Sequence, residues 1–311
     1  MVFFIRNKLA SRTSVVLLPL VVFVGLSLLV IHYFKVAQEV AVAHQQERLL
    51  QKTTDIRAKI EYEINTTLNL TMGVLVYVAT KPDINQQEFA QLADQVLQRA
   101  PYIRNIGLAK DNVISHIFPL EHNRKALGLR YMDDAQQRDA VIQAMKTGKT
   151  VVAGPVNLVQ GGRGFISRIP IFLKDRARTY WGMTSIVIDV DAFLQRVGLN
   201  KKRSDINIAL RGKDSKGAQG AIFYGNESVF QDINRVQQPI SLPTGSWIIA
   251  AVATDETPKA YSSSQWISVL GISSALLIAS LLAGLLSSYS ALNRAKIEVE
   301  NASEHKTRFF T

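Results

Sequence analysis

The chain of 311 residues contains no cysteine. Neither a disulfide framework nor a thiolate metal site can therefore form. Its five histidines include no pair at i,i+4 spacing, and no His-Glu-x-x-His pattern occurs. A metal site is consequently not expected.

Patterns typical of catalysis are also missing. The sequence has no Gly-x-Ser-x-Gly elbow and no phosphate-binding loop of the Gly-x4-Gly-Lys-Ser/Thr type. Asp189 and Asp191 form a carboxylate pair, but at the end of a strand they are better explained as a helix cap and a solvated neighbour. The chain therefore holds no catalytic set, and no cofactor is expected.

Basic residues outnumber acidic ones, which gives a formal net charge of +11. No nucleic-acid-binding module and no interleaving of aromatic and basic residues accompanies this charge, so a nucleic-acid partner is not expected. A solvated basic surface and a preference for anionic ligands both remain open.

Two apolar runs, residues 14–34 and 264–289, are long enough to cross a hydrocarbon core of about 30 Å. The first run is longer than a signal-peptide core and lacks a clean cleavage site, which favours an uncleaved anchor. Basic residues lie beyond the outer ends of both runs, at residues 1–13 and 290–311, so both termini are expected in the cytoplasm. Residues 35–264 would then lie on the periplasmic side of a bacterial inner membrane.

The segment between the runs begins with a predicted stalk helix, residues 35–80. An apolar stripe at helical spacing runs along it, at Leu49, Thr53, Ile56, Ile60, Ile64, Leu68, Leu75 and Val78. Such a stripe packs against the supported domain, against a second copy of the helix, or against both. The pattern favours a membrane stalk in a homodimer.

Short strands and helices follow, and they predict an α+β fold with a PAS-like antiparallel sheet. Hairpin patterns occupy residues 102–118 and 147–189, the second turning at Gly161–Gly164, with a helix predicted from Asp133 to Lys146 between them. We assign residues 81–199 to a membrane-distal ligand-binding lobe. Residues 200–263 form a smaller membrane-proximal lobe with strands at 206–210, 221–224 and 247–252.

Arg168 is the most informative residue of the central strands, because it interrupts an otherwise apolar strand. A charge there needs a partner or access to water. It faces either a sensing pocket or solvent on the far face, and the sequence leaves both readings open. Phe165 and Trp181 are candidate apolar walls of such a pocket, although aromatic residues in strands are also core residues.

Several short motifs occur in an order that resembles the CHASE domain, the extracytoplasmic module of bacterial transmembrane sensors and plant cytokinin receptors. They are Ile117–Pro119, Ala126–Gly128, Ala144 with Thr147–Lys149, Gly154-Pro155, Arg168–Phe172 and Tyr180–Gly182. The resemblance covers roughly residues 80 to 195. It implies a long stalk helix, a PAS-like distal lobe that binds small molecules, and a smaller proximal lobe.

Carried over by position, the cytokinin receptors' purine-reading carboxylate falls on Gln137, next to Arg138. Their pocket positions in the sheet fall on Ala153, Val159 and Arg168. Relative to those receptors, Gln137 puts an amide in place of the acid, and Arg168 puts a cation in place of a threonine. The resemblance therefore implies a small ligand that is anionic or strongly polar, unlike a cytokinin.

The tail from Ala295 to Phe310 resembles the helix that leads into the phosphoacceptor motif of sensor histidine kinases. The chain reaches Thr311 before that motif would appear, so its kinase part and its response-regulator partner are expected outside this sequence. Two alternatives stay open: a diguanylate cyclase or chemotaxis-receptor output, and a stand-alone membrane binding protein without catalytic output.

Overall fold

Two long helices lie at the ends of the chain in the computed structural model, which describes residues 12–158, 161–200, 205–254 and 259–308. Helix α1 (Arg12–Thr80) has 69 residues, and the last helix, α6 (Lys259–Arg308), has 50. Both are long and apolar enough, by length and composition, to cross a membrane. The predicted first span and stalk thus form one continuous helix.

The predicted apolar stripe of the stalk is buried. Ile56, Ile60 and Val78 are at most 3% exposed, and they join the main hydrophobic core of the β-rich region. Burying each of these large side chains contributes about 1.5–3 kcal/mol. The stripe therefore packs against its own domain.

Five strands form the first sheet, in the order β2-β1-β5-β4-β3, and all neighbours are antiparallel. They are β1 (Ile103–Lys110), β2 (Val113–Phe118), β3 (Val151–Asn157), β4 (Arg163–Phe172) and β5 (Tyr180–Asp189). Gly161 and Gly162 adopt positive φ in the turn before β4, as the hairpin pattern predicted. The mixed helix and antiparallel-sheet class, with its PAS-like arrangement, is confirmed.

Helices cover both faces of this sheet. Helix α2 (Gln86–Arg99) starts at Asn85, whose side chain accepts hydrogen bonds from the amides of Gln87 and Glu88. On the other face, α3 (Ala135–Thr147) packs Val141 and Ala144 against the sheet. The short helix α4 (Val190–Arg196) begins after Asp189, whose carboxylate accepts from the amide of Ala192, as the cap pattern predicted.

The second sheet has four strands in the order β7-β6-β9-β8. They are β6 (Ile206–Arg211), β7 (Ile222–Tyr224), β8 (Val236–Ser241) and β9 (Ser246–Ala253), with the short helix α5 (Ser228–Gln231) between β7 and β8. Strand β8 was not predicted, because its Gln-Gln-Pro centre lacks β-branched residues. It lies at the edge of the sheet, where a proline costs no interior hydrogen bond. The predicted lobe boundary at Lys201–Arg203 lies outside the described residues.

The chain divides into two compact units. One comprises residues 46–255, with both sheets and the later part of α1. The other comprises residues 1–45 and 256–311, and it includes all of α6 and the start of α1. Large apolar side chains of the second unit are exposed to the surroundings, among them Leu17, Leu29, Leu277 and Leu281.

Candidate functional site

A cavity of about 170 Å³ lies on the α3 face of the first sheet. Alternate residues of the strands point into it, because successive side chains of a strand lie on opposite faces. Its polar lining comes from several elements: Asn105, Lys125, Tyr131, Asp134, Gln137, Asn157, Arg168 and Ser185. The cavity is thus small and rich in hydrogen-bonding groups.

Arg168 is the most buried charge at this cavity, with 1% of its surface exposed. Its Nη2 donates to Oε1 of Gln137 at 2.8 Å, and its guanidinium carbon lies 5.5 Å from the centre of the Tyr131 ring. Among the described residues, neither Nε nor Nη1 of Arg168 has a hydrogen-bond partner. A buried cation with two nitrogens left without partners is a ready anchor for an anion.

Burial lowers the pKa of Arg168, and the neighbouring Tyr131, Asp134 and Asp214 oppose that shift. A guanidinium nevertheless stays protonated in proteins, so the cavity keeps a positive charge. That charge is only partly balanced by acids outside direct hydrogen-bond contact.

Gln137 connects Arg168 to Asp134 through two hydrogen bonds. Its Oε1 accepts from Arg168, while its Nε2 donates to Oδ2 of Asp134 at 2.7 Å. This pairing fixes which end of the amide faces the arginine. A carboxylate at position 137 would have neutralised Arg168 directly, whereas the amide leaves its charge available to a ligand.

Tyr131 and Ser185 form a second polar pair in the cavity, with 2.8 Å between the hydroxyl oxygens. Burial raises the pKa of Tyr131, which therefore stays a neutral hydroxyl at physiological pH. Ser185 lies opposite Arg168 in the register of β4 and β5. The pair thus presents hydroxyl groups close to the guanidinium.

The structure brings together three of the predicted site residues, Gln137, Ala153 and Arg168, at the wall of this cavity. Arg138 does not line it and is exposed on α3. Val159 lies outside the described residues. The reading in which Arg168 faces solvent is wrong, because the side chain is buried.

Phe165 and Trp181, the candidate apolar walls, do not line this cavity and are core residues instead. Phe165 is one residue out of phase with Ile166 and Arg168, so it points to the opposite face and packs against Phe193 and Trp247. Trp181 is buried in the main core, where its Nε1 donates to the carbonyl of Pro82.

Sequence reasoning missed Tyr131, Asp134 and Ser185 as lining residues. Ser185 carried one usable signal, since it is a polar residue inside a buried strand. The other two lie in the segment before α3, whose path over the sheet no local pattern fixes. Over the part of the chain that the structure describes, no group of three metal-ligating His, Asp or Glu side chains occurs.

Comparison with known proteins gives one family-model match and several structural neighbours. Residues 109–224 match the family model of the CHASE domain, a segment that starts later than the predicted 80–195 and extends into the second sheet. No curated protein sequence matches the chain.

The ligand-binding domain of the Pseudomonas aeruginosa chemoreceptor PctC, solved with GABA, has a TM-score of 0.50 at 14% identity. It covers 67% of this chain and 99% of its own. The extracellular domain of rpHK1S-Z16, a candidate histidine kinase, has a TM-score of 0.50 at 12% identity, with 72% and 99% covered.

An extracellular ligand-binding receptor from Desulfohalobium retbaense has a TM-score of 0.45 at 12% identity and covers 69% of this chain, which spans 40% of that one. At these identities the neighbours show the fold, which is that of extracellular ligand-sensing domains. Residues 109–224 are thus similar to the CHASE domain, and the chain combines a fold shared with extracellular ligand-sensing domains with two flanking helices long and apolar enough to cross a membrane.

Proposed function

We propose that this chain is the input half of a transmembrane receptor that binds a small anionic or strongly polar molecule in the Arg168 cavity. The observation that carries the proposal is the buried guanidinium of Arg168, two nitrogens of which have no hydrogen-bond partner among the residues that the structure describes. A ligand carboxylate or similar anion would accept a charge-assisted hydrogen bond from one of these nitrogens. The cation would then gain the partner that its burial requires.

The size and lining of the cavity narrow the ligand class. A volume of about 170 Å³ suits a compact molecule rather than a large one. Lys125 adds a second cation to the lining, while Tyr131, Asn105 and Asn157 offer neutral hydrogen-bonding groups. Small organic acids with one further polar group satisfy this combination.

The output proposed for this receptor is a cytoplasmic histidine kinase that acts as a homodimer and passes its signal to a response regulator. The kinase-like pattern of the tail and the continuous helix α6 support this reading. Residues 14–34 and 264–289 would span the bacterial inner membrane. Between them would lie the stalk at 35–80, the distal lobe at 81–199 and the proximal lobe at 200–263.

A chemoreceptor output is the second candidate, and the fold shared with the PctC sensor domain favours it. The coding sequence beyond Thr311 distinguishes the outputs. A Ser-His-Glu phosphoacceptor run supports the kinase, and a Gly-Gly-Asp-Glu-Phe run supports a diguanylate cyclase. A methyl-accepting helical region supports the chemoreceptor, and a stop codon supports a stand-alone binding protein.

Thermal unfolding of the purified chain in detergent tests the ligand class. The probes are acetate, propionate and succinate, with propionamide as the neutral counterpart of propionate and adenine-type compounds as the cytokinin-like comparison. We expect a carboxylate to raise the melting temperature and its amide to have no effect. A ligand at 100 times its Kd stabilises a protein by about 2.7 kcal/mol.

Two arginine variants provide the matched comparison. Arg168→Gln should abolish the carboxylate effect, because it removes the buried cation. Arg138→Gln, at an exposed site on α3, should leave it unchanged. Stabilisation by adenine-type compounds alone, or equal loss in both variants, would refute the proposal.

A further inference from the structure

Strand β3 is the edge of the first sheet, yet its outer side is bonded to side chains of the second-sheet region. Thr244 Oγ1 donates to the carbonyl of Thr150 at 2.7 Å, and the Ser215 hydroxyl donates to the carbonyl of Val152. The amide of Gly154 donates to Oδ1 of Asp214 at 2.8 Å. We call Asp214, Ser215 and Thr244 the clasp.

The three clasp contacts follow the alternation of a strand edge. Backbone groups of every second residue point away from the paired strand, and positions 150, 152 and 154 have this spacing. The clasp therefore replaces a sixth strand with three side chains.

The loop that carries the clasp has a strained backbone. Asp214 and Ser215 both have φ of 59°, a left-handed backbone conformation that residues other than glycine rarely adopt. Gly245, next to Thr244, is required because a Cβ there would lie 2.1 Å from the Ser215 carbonyl oxygen. Such conformations persist where contacts hold them, and they cluster at switching and ligand-binding regions.

Strand β3, which the clasp residues contact, is also a wall of the Arg168 cavity. Val151 is paired with Arg168 in the β3–β4 register, and Ala153 lines the cavity. A larger cavity of about 520 Å³ lies on the outer side, between α3, β3 and the clasp loop, and it shares Ala153, Val156 and Asn157 with the inner one. A shift of β3 therefore changes the inner cavity and the clasp together.

We propose that the clasp couples occupancy of the Arg168 cavity to the second sheet, so that an anion at Arg168 and the clasp contacts stabilise the same position of β3. This inference rests on the proposed ligand-binding function. It adds the route by which the effect of ligand binding passes from the first sheet to the second. Asp214 also attracts the Arg168 guanidinium electrostatically. An anion bound at Arg168 would therefore change the electrostatic environment of Asp214. The second sheet ends at β9, after which the chain continues into α6.

Coupling between two sites is reciprocal, so weakening the clasp must weaken ligand binding. The test uses the full chain in lipid nanodiscs and the variant Asp214→Gly/Ser215→Gly/Thr244→Val. Glycine tolerates the left-handed backbone at 214 and 215, so these changes remove the side-chain groups without adding strain. Asp214→Asn is the conservative control, because it keeps an acceptor for the Gly154 amide and tolerates positive φ.

The first measurement is hydrogen–deuterium exchange without ligand, read by mass spectrometry for peptides covering β3 and the second sheet. The triple variant should exchange at least about 10-fold faster in both regions, and Asp214→Asn should stay near the wild type. Faster exchange in β3 alone would overturn the coupling, because the second sheet would then not depend on the contacts. Unchanged exchange would overturn the clasp itself.

The second measurement is the affinity for propionate by isothermal titration calorimetry. The triple variant should bind at least about 5-fold more weakly than the wild type, the lower end of typical allosteric coupling. Equal affinities would overturn the coupling while leaving the ligand class intact. If the wild type binds none of the three carboxylates, the proposed ligand class fails, and the exchange measurement alone decides whether the clasp links the two sheets.

Discussion

Glu63 shows at the scale of a single residue how the stalk is tied to the first sheet. It is an acid on the buried side of α1, with 7% of its surface exposed. Its Oε1 accepts from Nε of Arg196 at 2.8 Å, and its Oε2 accepts from the Tyr102 hydroxyl at 3.0 Å. Thr67 in turn donates to the Tyr102 oxygen. Because each buried group has a partner, loss of one leaves another unsatisfied.

Tyr102→Phe should therefore lower the free energy of unfolding by about 1–3 kcal/mol, since it leaves a carboxylate oxygen without its donor. Burial raises the pKa of Tyr102 from 10.0 to about 12. A raised pKa favours the neutral hydroxyl in the folded state, so its stabilisation is complete below pH 10 and is lost as the pH rises through about 12. Urea unfolding followed by tryptophan fluorescence at pH 8 and above pH 11 measures both effects. Tyr62→Phe, at a residue that is 65% exposed, should change stability by less than about 0.5 kcal/mol.

The type of a residue in a strand does not show which face of the sheet its side chain is on, because successive side chains alternate between the two faces. Arg168 and Phe165 are both plausible pocket residues by type, yet they point to opposite faces of β4. Only the pairing with β3 and β5 and the placement of α3 decide which face holds the cavity. The position of Gln137 at the cavity followed from the family resemblance, whereas no local pattern indicated Tyr131.

At the scale of elements, α1 has two apolar faces with different environments. The predicted stripe packs against the β-rich region, while Leu50, Tyr62, Met72 and Val76 lie on another side and are 46–65% exposed. Periodicity predicted the first face, because every buried position follows helical spacing. Periodicity could not show that the second apolar face of α1 would stay exposed. It also missed β8, whose pairing depends on its neighbour β9.

The exposed face of α1 is the surface that we assign to the proposed homodimer. Because the chain has no cysteine, Tyr62→Cys would be its single thiol. Mild oxidation in membranes should then give a covalent dimer, since a residue near a two-fold axis meets its own copy. Gln98→Cys, exposed on α2, should remain monomeric under the same conditions. Non-reducing electrophoresis reads the result, and equal cross-linking of both variants would contradict a specific stalk interface.

At the scale of the whole molecule, the order of segments was readable from the sequence. Apolar length predicted the two terminal helices, and turn residues with strand patterns predicted most strands of both sheets. These features are encoded locally, in runs of about 5 to 20 residues. The cavity and the clasp join residues far apart in the chain, such as Asp214 with Gly154, so their presence depends on tertiary packing.

Membrane topology is the whole-molecule feature that the proposed function requires, and the absence of native cysteine makes it directly measurable. Ile233→Cys, in a loop of the second-sheet region where the native side chain is 91% exposed, should react with a membrane-impermeant maleimide on intact spheroplasts. Glu298→Cys, near the end of α6, should react only after permeabilisation, because basic residues beyond the second apolar run favour the cytoplasmic side. Labelling of position 298 in intact spheroplasts with protection of position 233 would place the Arg168 cavity inside the cell, and a receptor for external ligands would then be ruled out.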